Sequence, residues 1–212
     1  MSRLPATRRK AARYHHGDLK NALIASGVDI LSKEGVAGLS LRKVAQKAGV
    51  SHTAPYAHFT DKQALIAAIS TDGFERLYDA IHAAARRRAG NPAAQLVEAA
   101  WAYVKFAMDD PDHFKVTMSG ALEREQEYPA FVAISQKTFA LVVEIVEACQ
   151  SHDVLRPGSP ELAAVAVWSM MHGLVSLVLE NQISRKIVGR LSMRELLIAT
   201  LNQMTTVDLT SA

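Results

Sequence analysis

Three groups of residues in this chain have types and spacings that could do chemistry. Ser169, His172 and Ser176 recur at helical spacing, so a nucleophile and a base could share one helix face. Asp109, Asp110, Asp112 and His113 gather potential donors for a metal ion. Residues 40–59, SLRKVAQKAGVSHTAPYAHF, mix hydroxyls, cations and imidazoles, the groups that suit phosphates and base edges. The first two groups have simpler readings. Ser and His often share a helix face by chance, and the chain has neither a G-x-S-x-G elbow nor a Gly-rich phosphate loop. Catalysis is therefore not expected. Acidic residues favour helix N-termini, so the Asp109–His113 group is expected to cap helix ends. Neither a metal nor a cofactor is expected.

The third group sits in an unusual charge environment. The 212 residues carry 24 Lys and Arg against 21 Asp and Glu, a net charge of +3. Residues 1–62 hold 11 of the cations and 4 of the anions, a balance of +7; residues 63–212 hold 13 and 17, a balance of −4. A basic front module on a mildly acidic body suggests a polyanionic partner for the front alone. A single cysteine, Cys149, excludes an intramolecular disulfide and a Cys-rich zinc site, and fits a reducing cytoplasm. The basic N-terminus has no apolar stretch behind it, so it is not read as a secretory signal. Leu162–Leu179 is 18 residues without formal charge, and no other stretch of that length is free of charge. Its Ser169, His172, Gly173 and Ser176 argue for a helix buried on most sides by protein rather than a membrane span.

The elements that must position these residues are all helical. Residues 1–16, with Arg3, Arg8, Arg9, Lys10, Arg13 and the His15–His16 pair, have no apolar periodicity and read as a flexible arm. Asp18 can cap a first helix to about Lys33, with Leu19, Leu23, Ile24, Val28 and Leu31 as its apolar stripe, ended by Gly35 and Gly38. Ser40 caps a second helix, with Leu41, Val44, Ala45 and Ala48 facing inward, and Gly49 stops it. Ser51 opens a very short third element ending near His58. A long fourth helix runs from Asp61 toward Arg88. Further helices are expected from Asn91 to about Met108, to about Ser119, from Pro129 to about Ser151, from Glu161 to about Gln182, and from Ser192 to about Thr205. No alternating β-branched run with hairpin turns appears, so the fold class is all-α with about nine helices.

Within residues 40–59 each part has a physical role. Ala45 is small enough for the next helix to cross closely. Gly49 can take the left-handed conformation of a sharp turn, Val50 fills the crevice between helices, and Ser51 caps the next helix. This is a helix-turn-helix, which places its second helix in a DNA major groove. Pro55 removes a backbone donor and disfavours the α conformation at Ala54, so that helix is expected to start late or with a distorted first turn.

The string Leu39–Ala45, then Gly49–Val50–Ser51, then Pro55–Tyr56–Ala57–His58–Phe59, Lys62 and Leu65 resembles the TetR family of bacterial transcriptional regulators over residues 18 to about 70. Tyr103–Ala107 before Pro111, and Trp168 with His172–Gly173, resemble a subgroup marked by a Trp-His-Gly motif. The resemblance implies an all-α homodimer that binds a roughly palindromic operator and releases it when a small molecule binds the larger domain. It implies a basic arm (1–16), a helix-turn-helix domain (17–62) and an effector-binding and dimerisation domain (63–212). His52, Thr53 and Ala54 would meet bases; Ser40, Tyr56, His58 and Lys62 would meet the backbone, Arg42 either, and Ser51 would stand among these DNA-binding residues. The arm could enter a minor groove.

The body offers a different chemistry. Phe74, Tyr78, Trp101, Phe106, Phe114, Met118, Phe139, Val143, Trp168 and His172 are candidates for a pocket between facing helices, with core packing as the plainer reading of any one of them. The Glu161–Gln182 helix, free of charge from Leu162 to Leu179, has too little polar surface to face solvent, so the last two helices are expected to pair two subunits about a twofold axis. The rival readings are a regulator without an effector, a nonspecific DNA binder and, least of all, a helical-bundle enzyme.

Overall fold

The computed structural model describes residues 16–184 and 189–210. The arm residues Arg8, Arg9 and Arg13 lie outside them. Among the described residues there are eight α-helices: α1 (His16–Gly38), α2 (Leu41–Ala48), α3 (Lys62–Arg86), α4 (Pro92–Asp109), α5 (Pro111–Thr117), α6 (Pro129–Ser151), α7 (Pro160–Leu179) and α8 (Met193–Leu201). Two short 3-10 turns, Ala54–Ala57 and Glu125–Glu127, complete the order, so the third expected helix is one such turn.

Local chemistry sets the helix ends. Side chains of Ser40, Asp61, Asn91, Asp110 and Ser159 accept from the backbone N–H three residues on, and Ser192 forms a reciprocal capping box with Glu195. Pro follows the cap in α4, α5 and α7, where its missing N–H costs nothing. Gly35 leaves helical geometry inside the last turns of α1, at φ 67°.

The core has two parts joined by α3. The smaller packs Leu23, Val28, Leu31, Leu41, Val44 and Phe59 against Leu65, Ile66 and Ile69, the first turns of α3. Val116, Leu122 and Phe131, from later in the chain, close its far side. The larger packs Leu77 and Ile81, further along the same helix, against α4, α6, α7 and α8. Two close crossings bring the helices together. A Cβ on Gly27 would lie 2.8 Å from the Ile69 Cδ1, and one on Gly73 would lie 2.0 Å from the Thr117 Oγ1.

By length and composition α6 and α7 could each cross a membrane. Both pack in the bundle instead, but α7 is less enclosed than its sequence suggests. Ala164, Val167, Met171, Leu174 and Val175 are buried, while Leu162 is 73% exposed and Val165, Trp168 and Leu177 are also exposed. One chain covers one side of this helix and leaves its other apolar side open.

Cys149 sits inside the larger core, its Sγ 3.3 Å from the Pro92 carbonyl. Burial pushes the thiol up to about 12. At pH 8 the thiol is then held in its protonated form, and the thiolate is the reactive form. The folded protein is expected to stay unlabelled by iodoacetamide at pH 8 and to take up one label in urea. Rapid labelling without denaturant contradicts the packing.

Candidate nucleic-acid interface and internal cavity

The turn between α2 and the 3-10 element is fixed by its own backbone. Gly49 is left-handed (φ 70°, ψ 29°). Its N–H donates to the Gln46 carbonyl and the Val50 N–H reaches back to Ala45, the paired bonds of a Schellman ending. Ala45 is fully buried, and Val50 is half-buried against the small core. The next element differs from the expected helix. Thr53, not Ser51, stands at its N-cap and makes no side-chain cap bond. The Ser51 hydroxyl lies 3.2 Å from the Thr53 hydroxyl. Pro55 explains the difference: it is buried, donates nothing and leaves room for a single 3-10 turn.

This short turn displays the residues expected at DNA. Ser40, Arg42, Ser51, His52, Thr53, Tyr56 and Lys62 are exposed, Tyr56 to 55%, and Ala54 is half-buried. Phe59 is buried, as a packing residue should be. His58 is half-buried, and its Nε2 is covered and without a hydrogen-bond partner among the described residues. Contact with phosphate through that atom requires the ring to turn.

The cations of α2 are not equivalent. Lys43 pairs with Glu34, and Lys47 lies 2.6 Å from Asp29. Hydrogen bonds from Lys33 and then Lys47 hold the Asp29 carboxyl below its usual range. These pairs tie α2 to α1. Arg42 and Lys62 have no ion pair among the described residues, which leaves both charges available to a polyanion.

The larger core holds two adjoining cavities of about 50 and 40 Å³. Phe74, Met118 and Phe139 line the smaller, and Trp168 lines both. The remaining walls are mostly aliphatic, among them Ile81, Val142 and Met171, together with Tyr103. His172 reaches this site through Tyr103, whose hydroxyl lies 3.0 Å from its Nδ1. Burial pushes the Tyr103 hydroxyl well above its ordinary range.

Five expected pocket residues are elsewhere. Tyr78 stacks on His82 at 5.4 Å with the Lys137 ammonium 4.1 Å over its ring. Trp101 and Phe106 face an outer groove, where the guanidinium of Arg194 lies 5.5 Å over Trp101. Phe114 is buried against Tyr103, Phe106 and His172. Val143 packs on the large core but lines neither cavity. Aromatic character marked part of the cavity wall. Tyr103 and the aliphatic walls carried no distinguishing signal, because α3, α4, α6 and α7 all present apolar faces to the core.

The acidic group of α4 and α5 acts structurally. Asp110 caps α5, Asp109 pairs with Lys105 at 2.6 Å, and Arg76 lies 3.2 Å from Asp110 and 2.6 Å from the His113 Nδ1.

Comparison with known proteins agrees with this architecture. The profile for bacterial regulatory proteins of the tetR family matches residues 23–69, and that for the tetracyclin repressor-like C-terminal domain matches residues 96–201. The chain is 22% identical over 174 residues to the uncharacterized HTH-type transcriptional regulator YobS of Bacillus subtilis (strain 168), covering 80% of this chain and 84% of that one. A solved structure of a protein with unknown function from Rhodococcus sp. RHA1 is 29% identical, with a TM-score of 0.72 over 91% of this chain and 96% of that one. The fold also matches AibR in complex with isovaleryl coenzyme A and operator DNA, at 14% identity and a TM-score of 0.70 over 88% and 97% of the two chains. With a helix-turn-helix at the front and a tetracyclin repressor-like bundle behind it, the chain belongs to the TetR family of DNA-binding transcriptional regulators.

Proposed function

We propose that this chain is a homodimeric repressor that leaves a palindromic operator when a small molecule enters its larger domain. The observation that carries the reading is the exposed set Arg42, Thr53, Tyr56 and Lys62 around a turn with a filled core behind it. Residues 17–62 form the DNA-binding part and residues 63–212 the effector-binding and dimerisation part, with the arm (1–16) beside the DNA. His52, Thr53 and Ala54 meet base edges. Ser40, Ser51, Tyr56, His58 and Lys62 meet phosphates, and Arg42 reaches either. Phe74, Met118, Phe139 and Trp168 border the effector, with His172 behind Tyr103. The fold shared with AibR, whose complex holds both a ligand and operator DNA, supports a coupling of the two sites.

The dimer reading rests on α7. Leu162, Val165 and Leu177 are exposed, and nothing lies within 4 Å of where a Gly173 Cβ would be. A second copy of α7 and α8 can approach closely there and bury that face, giving a four-helix interface. The two reading turns would then meet DNA about 34–36 Å apart. An effector that changes this separation shifts the population away from the DNA-bound geometry.

A gel shift with the gene's own upstream DNA against random competitor tests the reading; equal competition by the two sinks it. Lys62→Ala should weaken binding to all sequences and lower the salt dependence by about one counterion. Thr53→Ala should change base preference with a smaller loss of nonspecific affinity. Unchanged affinity of Lys62→Ala at moderate salt refutes the phosphate assignment.

A further inference from the structure

The two cavities share a partition: Ile81, Tyr103, Val142 and Trp168 line both. No Lys, Arg, Asp or Glu lines either one. Ser135 and Thr138 border the smaller, and their hydroxyls already donate to the carbonyls of Val132 and Ile134 at 3.0 and 2.8 Å. With those hydroxyls already donating and nearly all other walls apolar, the space offers a water few partners and suits an apolar guest. A carboxylate or phosphate would lose its hydration with no cation to meet it. Tyr103 carries the one hydroxyl of the partition. Its oxygen lies 3.0 Å from the His172 Nδ1, and the hydroxyl can be turned to a guest oxygen instead.

We infer that the effector is an uncharged, elongated, hydrocarbon-rich molecule with a single hydrogen-bonding group, lying across both cavities and bonded to Tyr103. This rests on the ligand-responsive reading above and names its ligand class. Each cavity is smaller than the ~150 Å³ that receives a benzene ring, so the guest must part the partition and displace Trp168. Trp168 is 40% exposed on the open side of α7, so its displacement is felt at the face assigned to the partner subunit.

The test titrates 1-octanol, octanoate and octanoyl coenzyme A into the full chain carrying Trp101→Phe, which leaves Trp168 as the remaining one of two tryptophans. 1-Octanol should shift the Trp168 emission saturably and raise the melting temperature, with the two charged probes at least tenfold weaker. Ala100→Phe, which fills the larger cavity, should abolish the response. Tyr103→Phe, which keeps the ring, should weaken it several-fold, and melting curves verify that both variants are folded. Octanoate or octanoyl coenzyme A binding as tightly as 1-octanol overturns the class, and if either also releases DNA the ligand-responsive reading stands without it. An unchanged 1-octanol response in both variants overturns the site. No response to any of the three probes overturns the inference, while the gel shift without probe reports separately on DNA recognition.

Discussion

Gly73→Ala is expected to destabilise the protein, although it adds a good helix former to the middle of α3. The propensity gain is about 1 kcal/mol. Against it stands a new Cβ placed 2.0 Å from the Thr117 Oγ1, 2.8 Å from its Cγ2 and 2.9 Å from its Cβ. Thr117 is short, β-branched and buried, so it cannot swing clear, and α3 and α5 must separate. Overpacking of this kind costs about 3 kcal/mol, which leaves a net loss of about 2 kcal/mol. For a chain of this size that is a fall of roughly 4–8 °C in melting temperature. Thr117→Ala should be mild alone, because the hydroxyl it removes has no hydrogen-bond partner. Combined with Gly73→Ala it should restore more than half of the lost stability, since only the contact to Cβ remains. A Gly73→Ala protein that melts higher than the parent would mean that the two helices do not approach this closely.

The second large effect concerns His113. Its ring is buried beneath α3, with Nε2 3.2 Å from the Ile69 carbonyl and Nδ1 2.6 Å from the Arg76 guanidinium. With Nε2–H donating to the carbonyl, Nδ1 accepts from Arg76. His113→Ala removes both bonds and leaves a space the size of a ring, a loss of roughly 3 kcal/mol. Arg76 keeps its bond to Asp110, so the damage falls on the junction of α3 and α5 rather than on the ion pair. The next residue, Phe114, packs on Tyr103 and His172, so α5 touches the anchor of the cavity on one side and the base of the DNA-binding part on the other. His113→Ala should therefore reduce the effector's influence on DNA affinity as well as stability. His113→Phe restores volume without the acceptor and should recover about half of the stability. Chemical denaturation of the three proteins, with gel shifts well below their melting points, checks both parts. Parent-like stability of His113→Ala would remove the ring from any structural role.

The parts of the molecule legible in the sequence are those decided within a few residues. Ser40, Asp61, Asn91, Asp110 and Ser192 each announce a helix start because a short acceptor reaches an N–H only three positions away. Gly49 announces the turn because its φ of 70° is costly for any other residue. Pro55 carried the warning of distortion, but not that the element would shrink to one 3-10 turn capped at Thr53. The cavity was less legible because its walls are decided by which faces of α3, α4, α6 and α7 meet. Trp101 has the largest apolar face in α4, yet it turns outward to Arg194, while Tyr103, two positions on, turns in. The alternation belongs to the packing of distant helices and leaves no mark on local composition. The open side of α7 is illegible for a related reason: in one chain an apolar helix face covered by a neighbour and one awaiting a neighbour read alike.

The sharing of α3 between the two cores limits how such a protein can be recombined. Leu65, Ile66 and Ile69 complete the front module from within a helix that belongs equally to the body, and Val116, Leu122 and Phe131 seal it from still later in the chain. A chimera cut at residue 62 would transplant a reading head without its own floor. Exchange of specificity between relatives is expected to succeed only when the graft carries the first turns of α3 and a matching α5.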